Sequence, residues 1–187
     1  MNPDEPSPAQ RFLGLLRPIE RDLEVYCRRL AFHAADIPDA IQNAVLRAYR
    51  AFDRYHDDAS FRGWMFKILT NEVFTLNRKR GRIAKFEVAL DAETMAEFPG
   101  ESASEDINLL SSWEILADAL DQDLVAALQA LNENERAVLL LRAIGNLRYR
   151  EISDTLEMPL GSVMGTLSRA RQKMRDTIAR SRRRTTP

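Results

Sequence analysis

A chain of 187 residues with 45% hydrophobic and 29% charged content can bury a core of ordinary size, and none of its apolar runs approaches the ~20 residues needed to cross a bilayer. One cysteine (Cys27) and two histidines (His33, His56) exclude an internal disulfide and a closed zinc site built from those ligands alone; cysteine usage this sparse fits a reducing cytoplasm. The net charge of −1 conceals a segregation: residues 1–90 hold 15 Lys or Arg against 12 Asp or Glu, residues 91–130 hold none against 10, and residues 131–187 hold 12 against 6. Two basic ends around an acidic centre leave nucleic acid open as a partner, although the overall pI is near 6.2.

Residues 1–8, with three prolines and two acids, offer nothing to bury and read as a disordered leader rather than a secretory signal. A first helical stripe follows through Phe12, Leu15, Leu16, Ile19, Leu23, Tyr26, Cys27 and Leu30, with Pro18 expected to kink or restart it near Arg17. Cys27 lies on that stripe and reads as a small core residue, not a nucleophile. A second helix is expected from Asp36, with Pro38 in its first turn and a core face of Ile37, Ile41, Ala44, Val45, Ala48 and Phe52. Its opposite face carries Asp39, Gln42, Asn43, Leu46, Arg47 and Arg50. A leucine ringed by amides and charges suits a partner surface, or is one of the exposed leucines that any protein carries.

After the loop Asp53–Ala59, which holds Tyr55 and His56, the stretch Ser60–Arg82 reads as a helix capped by Ser60 and closed by a basic run around Gly81. Its apolar arc is Trp64, Met65, Ile68, Leu69, Val73 and Leu76; the remaining face carries Gly63, Lys67, Asn71, Phe74 and Arg78. Cations, an amide and a ring on one face suit single-stranded nucleic acid; an amphipathic core helix with a charged end would show the same pattern. Beyond Arg82 the periodicity decays, and the acidic stretch from Phe86 reads as a linker too long for a connection inside one domain. Another helix is expected from about Asp106 to Ala130.

Asn132 with Glu135 predicts a capped helix ended by Gly145-Asn146. A short helix Tyr149–Leu156, a turn over residues 157–161 and a long helix from about Ser162 form the helix-turn-helix pattern, whose second helix reads the major groove. On that last helix Val163, Leu167, Ala170, Met174 and Ile178 are expected to pack, while Gly165, Ser168, Arg169 and Gln172 face outward. A small helical bundle with a cationic end remains the alternative. No glycine-rich phosphate loop, metal-spaced ligand set or nucleophile–base pairing is present, so no catalytic residue and no cofactor is assigned.

Two segments carry a resemblance. DAIQNAVLRAYRAFDRYHDDASFRGWMFKILTNEV (Asp39–Val73) resembles domain two of bacterial RNA polymerase sigma factors of the extracytoplasmic-function (ECF) type. LNENERAVLLLRAIGNLRYREISDTLEMPLGSVMGTLSRARQKMR (Leu131–Arg175) resembles their domain four. The resemblance implies an all-α fold of two small helical domains. Residues 9–85 would be domain two, 86–108 an acidic linker and 109–187 domain four with its helix-turn-helix.

It further implies a non-enzymatic transcription initiation factor in the cytoplasm, with core polymerase and promoter DNA as partners, an anti-sigma factor as a further class of partner, and no membrane insertion. Asp39, Gln42, Asn43, Leu46 and Arg47 match the surface for the clamp helices of the beta-prime subunit. Tyr55, Phe61, Trp64, Lys67, Asn71, Arg78 and Arg80 match the minus-ten reader, where a flipped base needs stacking and hydrogen bonds. The helix-turn-helix, through Ser162, Gly165, Thr166, Ser168, Arg169, Gln172 and Lys173, matches the minus-thirty-five reader and the beta-flap contact. The acidic linker matches the segment that threads the RNA channel. The chain departs from the family pattern at Val163-Met164-Gly165-Thr166, where two cations are common, and at Asn43, where an acid is usual. An autonomous helix-turn-helix regulator is the alternative reading.

Overall fold

The computed structural model describes residues 6–55, 60–91 and 124–185, and all regular structure among them is helical. Helix α1 (Pro8–Leu16) starts where Ser7 and Gln10 cap each other: the Ser7 hydroxyl accepts from the Gln10 amide at 3.2 Å and the Gln10 side chain accepts from the Ser7 amide at 2.8 Å. Pro18, as its missing N–H dictates, falls in a 3-10 turn (Arg17–Ile19) that breaks α1 from α2 (Glu20–Leu30). A second short turn, Ala34–Asp36, leads into α3 (Ile37–Arg50), which carries Pro38 in its first turn.

Helix α4 (Phe61–Asp91) is the spine of the N-terminal unit. Ser60 caps it by accepting from the Gly63 amide at 3.1 Å. It does not end at Gly81, as the basic run had suggested. An interior glycine costs a helix about 1 kcal/mol, too little to stop one flanked by the helix-favouring run IAKFEVAL. Residues 86–91, read from sequence as linker, therefore continue α4. The rest of that acidic segment and the start of the following helix lie outside the described residues.

The core of this unit forms where Leu23, Tyr26, Cys27 and Leu30 of α2 meet Met65, Phe66, Leu69 and Val73 of α4. Ala40, Ala44 and Ala48 give α3 a small-residue stripe that lets it lie close against α4. Tyr26 is fully buried, and its hydroxyl is satisfied by Thr70 at 2.7 Å. The expected arc on α4 holds, Met65, Leu69 and Val73 buried and Trp64, Ile68 and Leu76 half-buried against them, but its centre also includes Phe66 and Thr70, and Phe74 is half-buried against the cluster rather than free. Burial pushes the Cys27 thiol up to about 11, which keeps it protonated and inert near neutrality.

The C-terminal unit comprises α5 (helical over residues 124–129), α6 (Glu133–Ala143), α7 (Tyr149–Leu156) and α8 (Leu160–Thr185). The predicted cap of α6 is complete: the Asn132 side chain accepts from the Glu135 amide at 2.9 Å, and the Glu135 carboxylate accepts from the Asn132 amide at 3.1 Å. Gly145 is required for space, because a Cβ there would stand 2.5 Å from the Leu141 carbonyl oxygen; the left-handed residue of this turn is Asn146, at φ 51°. Glu157 (φ 53°) turns the chain between α7 and α8, and α8 begins at Leu160, two residues before the sequence suggested. Leu141, Leu147, Ile152, Val163, Leu167 and Ala170 close the core between α6, α7 and α8. The two units touch, α7 lying on α4 and α6 on α2.

Candidate nucleic-acid interface

Three exposed surfaces carry the predicted site residues. On α3 the residues opposite the alanine stripe, Asp39, Gln42, Asn43 and Leu46, all face solvent, Leu46 with 44% of its surface exposed. Tyr49, at i+3 from Leu46, is equally exposed and extends the apolar strip, a spacing present in the sequence but left unread there. Arg47 borders this face and is already paired: its guanidinium bonds the carboxylate of buried Glu72 on α4. It therefore ties α3 to α4 and is not a free cation for a partner.

On α4, Lys67, Asn71 and Arg78 share one face, Asn71 and Arg78 being exposed. The Arg78 guanidinium lies along its own helix, donating to the Phe74 carbonyl and the Thr75 hydroxyl. Arg80 does not join this row. Two residues further on, it points about 200° around the helix and forms two bonds, at 2.8 and 3.1 Å, with the Asp36 carboxylate. Those Arg80 hydrogen bonds, with its charge, hold the Asp36 carboxyl below the usual carboxylate range. Arg80 thus braces α4 to the start of α3, with about half of its side chain still exposed.

The aromatic residues assemble at the start of α4. Tyr55 stacks on Phe52 with ring centroids 5.8 Å apart and reaches Trp64 at 5.3 Å, while Phe61 packs beneath both and against Phe12. Tyr55 and Trp64 are half-exposed and offer ring surface to a base. Phe61 is 7% exposed and supports that platform from inside, so it cannot itself stack on a base. The loop residues between Tyr55 and Ser60 lie outside the described residues.

The first turns of α8 expose Ser162, Met164 and Ser168, with Gly165 half-exposed between them. Arg169 folds back over Gly165: a Cβ at 165 would stand 3.4 Å from its guanidinium, which also donates to the Thr166 hydroxyl at 3.1 Å. Thr166 itself is 4% exposed and faces the core, so it positions Arg169 and does not meet DNA. Lys173 stays half-exposed, but both oxygens of buried Glu135 accept from its ammonium at 2.8 Å. Gln172 is exposed but held by Asp176 and Arg175. Arg171 and Arg175 flank a shallow cleft of about 300 Å³ with Tyr149, Met164 and Ser168, and add positive charge that the sequence reading passed over.

Among the described residues no group of three or more His, Cys, Asp and Glu side chains could hold a metal ion, and no helix is long and apolar enough to cross a membrane. Comparison with known proteins agrees with the geometry. Residues 15–83 match the family described as Sigma-70 region 2, and residues 121–174 match Sigma-70, region 4.

The chain is 34% identical over 153 residues to the ECF RNA polymerase sigma factor SigE of Mycolicibacterium smegmatis, an alignment covering 81% of this chain and 55% of that protein. It is 28% identical over 145 residues to the ECF RNA polymerase sigma-E factor of Escherichia coli, covering 78% and 75%. It thus spans about half the length of the first of these relatives and three quarters of the second. In fold it is similar to the sigma factor RpoE of Bartonella quintana, solved with the anti-sigma factor NepR (TM-score 0.68, 20% identity, 90% of this chain and 97% of that one). It is also similar to CnrH, solved with the cytosolic domain of CnrY (TM-score 0.62, 22% identity, 90% and 87%). With regions 2 and 4 matched in order, and with relatives of one kind, the chain belongs to the sigma-70 family as an ECF-type sigma factor.

Proposed function

We propose that this protein binds core RNA polymerase in the cytoplasm, directs it to promoters with minus-ten and minus-thirty-five elements, and helps open the duplex, with no reaction of its own. The observation that carries this reading is the pairing of two unlike faces on adjacent helices. On α3 an apolar strip, Leu46 and Tyr49, is rimmed by Gln42, Asn43 and Asp39. That composition suits a protein partner, with an apolar centre and a polar rim. On α4 a row of Lys67, Asn71 and Arg78 adjoins the Tyr55–Trp64 rings. That composition suits an unstacked strand, its phosphates met by cations and its bases by rings and an amide.

In this proposal the clamp helices of polymerase take the α3 face through Asp39, Gln42, Asn43 and Leu46. Tyr55, Trp64, Lys67, Asn71 and Arg78 read the minus-ten element, and Ser162, Gly165, Ser168, Arg169 and Gln172 present α8 to the minus-thirty-five element. The functional units are residues 9–91 and 109–187, with residues 92–108 between them acting in the RNA channel. An anti-sigma factor is the proposed antagonist, competing for these faces. The test is reconstitution. Purified protein should co-elute with core polymerase, and transcripts made by the mixture on genomic DNA should start downstream of one shared pair of elements. Transcripts identical to those from core polymerase alone would overturn the proposal.

A further inference from the structure

The residues that open α8, Leu160 to Ser168, carry no charge, and the first cation of the helix is Arg169. In a helix-turn-helix these opening turns reach the base edges, while cations further out meet phosphates. The commonest reader of guanine, a guanidinium bonding both O6 and N7, has no side chain to supply it there. Arg169 does not fill the gap. Its guanidinium lies back beside Gly165, 3.4 Å from where a Cβ would stand, and donates to the Thr166 hydroxyl at 3.1 Å. At about 100° per residue, Gly165 and Ser168 face away from buried Val163, Leu167 and Ala170, with Met164, Arg171 and Arg175 together on one flank.

What the opening turns do offer is Met164. It is 47% exposed, although Val163 and Leu167 on either side of it are buried and hold its turn in place. Its side chain lines the shallow cleft shared with Tyr149, Ser168, Arg171 and Arg175. An apolar tip therefore stands beside two cations suited to phosphates. Leu160, one turn earlier, is also exposed but does not line that cleft. Of the four bases only thymine shows an apolar group in the major groove, its 5-methyl, and an unbranched thioether adapts readily to such a contact.

We propose that Met164 sets the base preference of the minus-thirty-five reader, selecting a thymine through its 5-methyl group while Arg171 and Arg175 hold the phosphates beside it. This rests on the reading of α8 given above and names what that helix recognises.

Methyl deletion in the DNA tests this, with the full chain bound to core polymerase and a promoter fragment taken from its own transcripts. Each thymine of the minus-thirty-five element, on either strand, is replaced in turn by deoxyuridine, which removes the methyl and keeps every hydrogen-bonding group. At one position the affinity should fall about fourfold, the worth of one methyl group. Met164→Ala should weaken the unsubstituted fragment by a similar factor and make that position indifferent to uracil. Met164→Leu should restore the difference, and Leu160→Ala should keep it. Arg171→Ala should weaken the thymine and uracil fragments alike, as loss of a phosphate contact does. The uracil series on the unaltered protein decides the matter even if a variant fails to fold. An element with no methyl-sensitive thymine, or a uracil penalty that persists in Met164→Ala, overturns the role of Met164 and leaves α8 as the reader. Scrambling the element without loss of affinity overturns the reading of α8 beneath it.

Discussion

Lys67 and Asp154 are joined across the two units by a 2.8 Å bond from an ammonium to a backbone carbonyl. No substitution at position 154 deletes that acceptor, so the contact is lost only by replacing Lys67 or by moving α7.

Lys67→Met should therefore act on DNA binding far more than on folding. The stability change is expected within about 0.5 kcal/mol, since the side chain is half-exposed. In complex with core polymerase, promoter affinity should fall at all sequences alike, and the slope of log affinity against log salt should decrease by about 1. A salt titration of the purified complex measures both.

Leu46→Glu and Asn71→Ala should give opposite defects. Leu46 stands 44% exposed on α3, and a charge there should weaken core polymerase binding by about tenfold or more, or about 1.4 kcal/mol, with the melting temperature unchanged. Asn71 is exposed on α4; truncation should spare core binding and reduce open complexes, counted by permanganate reactivity of unpaired thymines. Equal loss of core binding in both variants would mean that the two faces are not distinct.

Gly145 and Gly165 should respond differently to alanine. At 145 the new Cβ would lie 2.5 Å from a backbone oxygen of the same turn, and the distortion should cost about 1–3 kcal/mol. At 165 it would lie 3.4 Å from the flexible end of Arg169, which can give way, and the gain in helix propensity should stabilise by up to about 1 kcal/mol. Thermal melts separate the two, and promoter binding by Gly165→Ala shows whether the seat of Arg169 matters to recognition.

Acid should loosen both units through named carboxylates. Burial pushes Glu135 up, but the Lys173 ammonium and the Asn132 amide outweigh it and leave the group below its ordinary value of 4.5. Asp36 is held below its ordinary value of 3.8, chiefly by Arg80. Both groups have depressed values in the folded chain, so their stabilisation is fully present above about pH 4.5 and is lost as pH falls through the folded values. Urea melts from pH 6 down to about 3 should show the loss, and Glu135→Gln should flatten its share of it.

Much of this was legible in the residues. Pro18 broke the first helix because proline has no N–H to give, and Asn132 with Glu135 capped α6 through the two bonds their spacing foretold. The exposed α3 face followed from periodicity alone. What the chain hid was pairing at a distance. Nothing local says that Arg80 finds Asp36, that Lys173 turns to Glu135 or that Arg47 reaches Glu72, since each pair is assembled only when the helices pack. For the same reason an outward-facing Phe61 or Thr166 cannot be told from a buried one in the sequence: each lies within a turn of exposed positions, and only the fold decides which way it faces. The closure of α7 on α4 has no sequence signature at all, because Lys67 binds there to a backbone carbonyl.

The most direct test of the whole account is a band-shift titration of one promoter fragment, taken from the transcripts that the reconstituted enzyme makes, with and without core polymerase. A polymerase-dependent role requires no specific shift by the protein alone and a tight, specific shift once core polymerase is added. Tight, specific binding by the protein alone would contradict it.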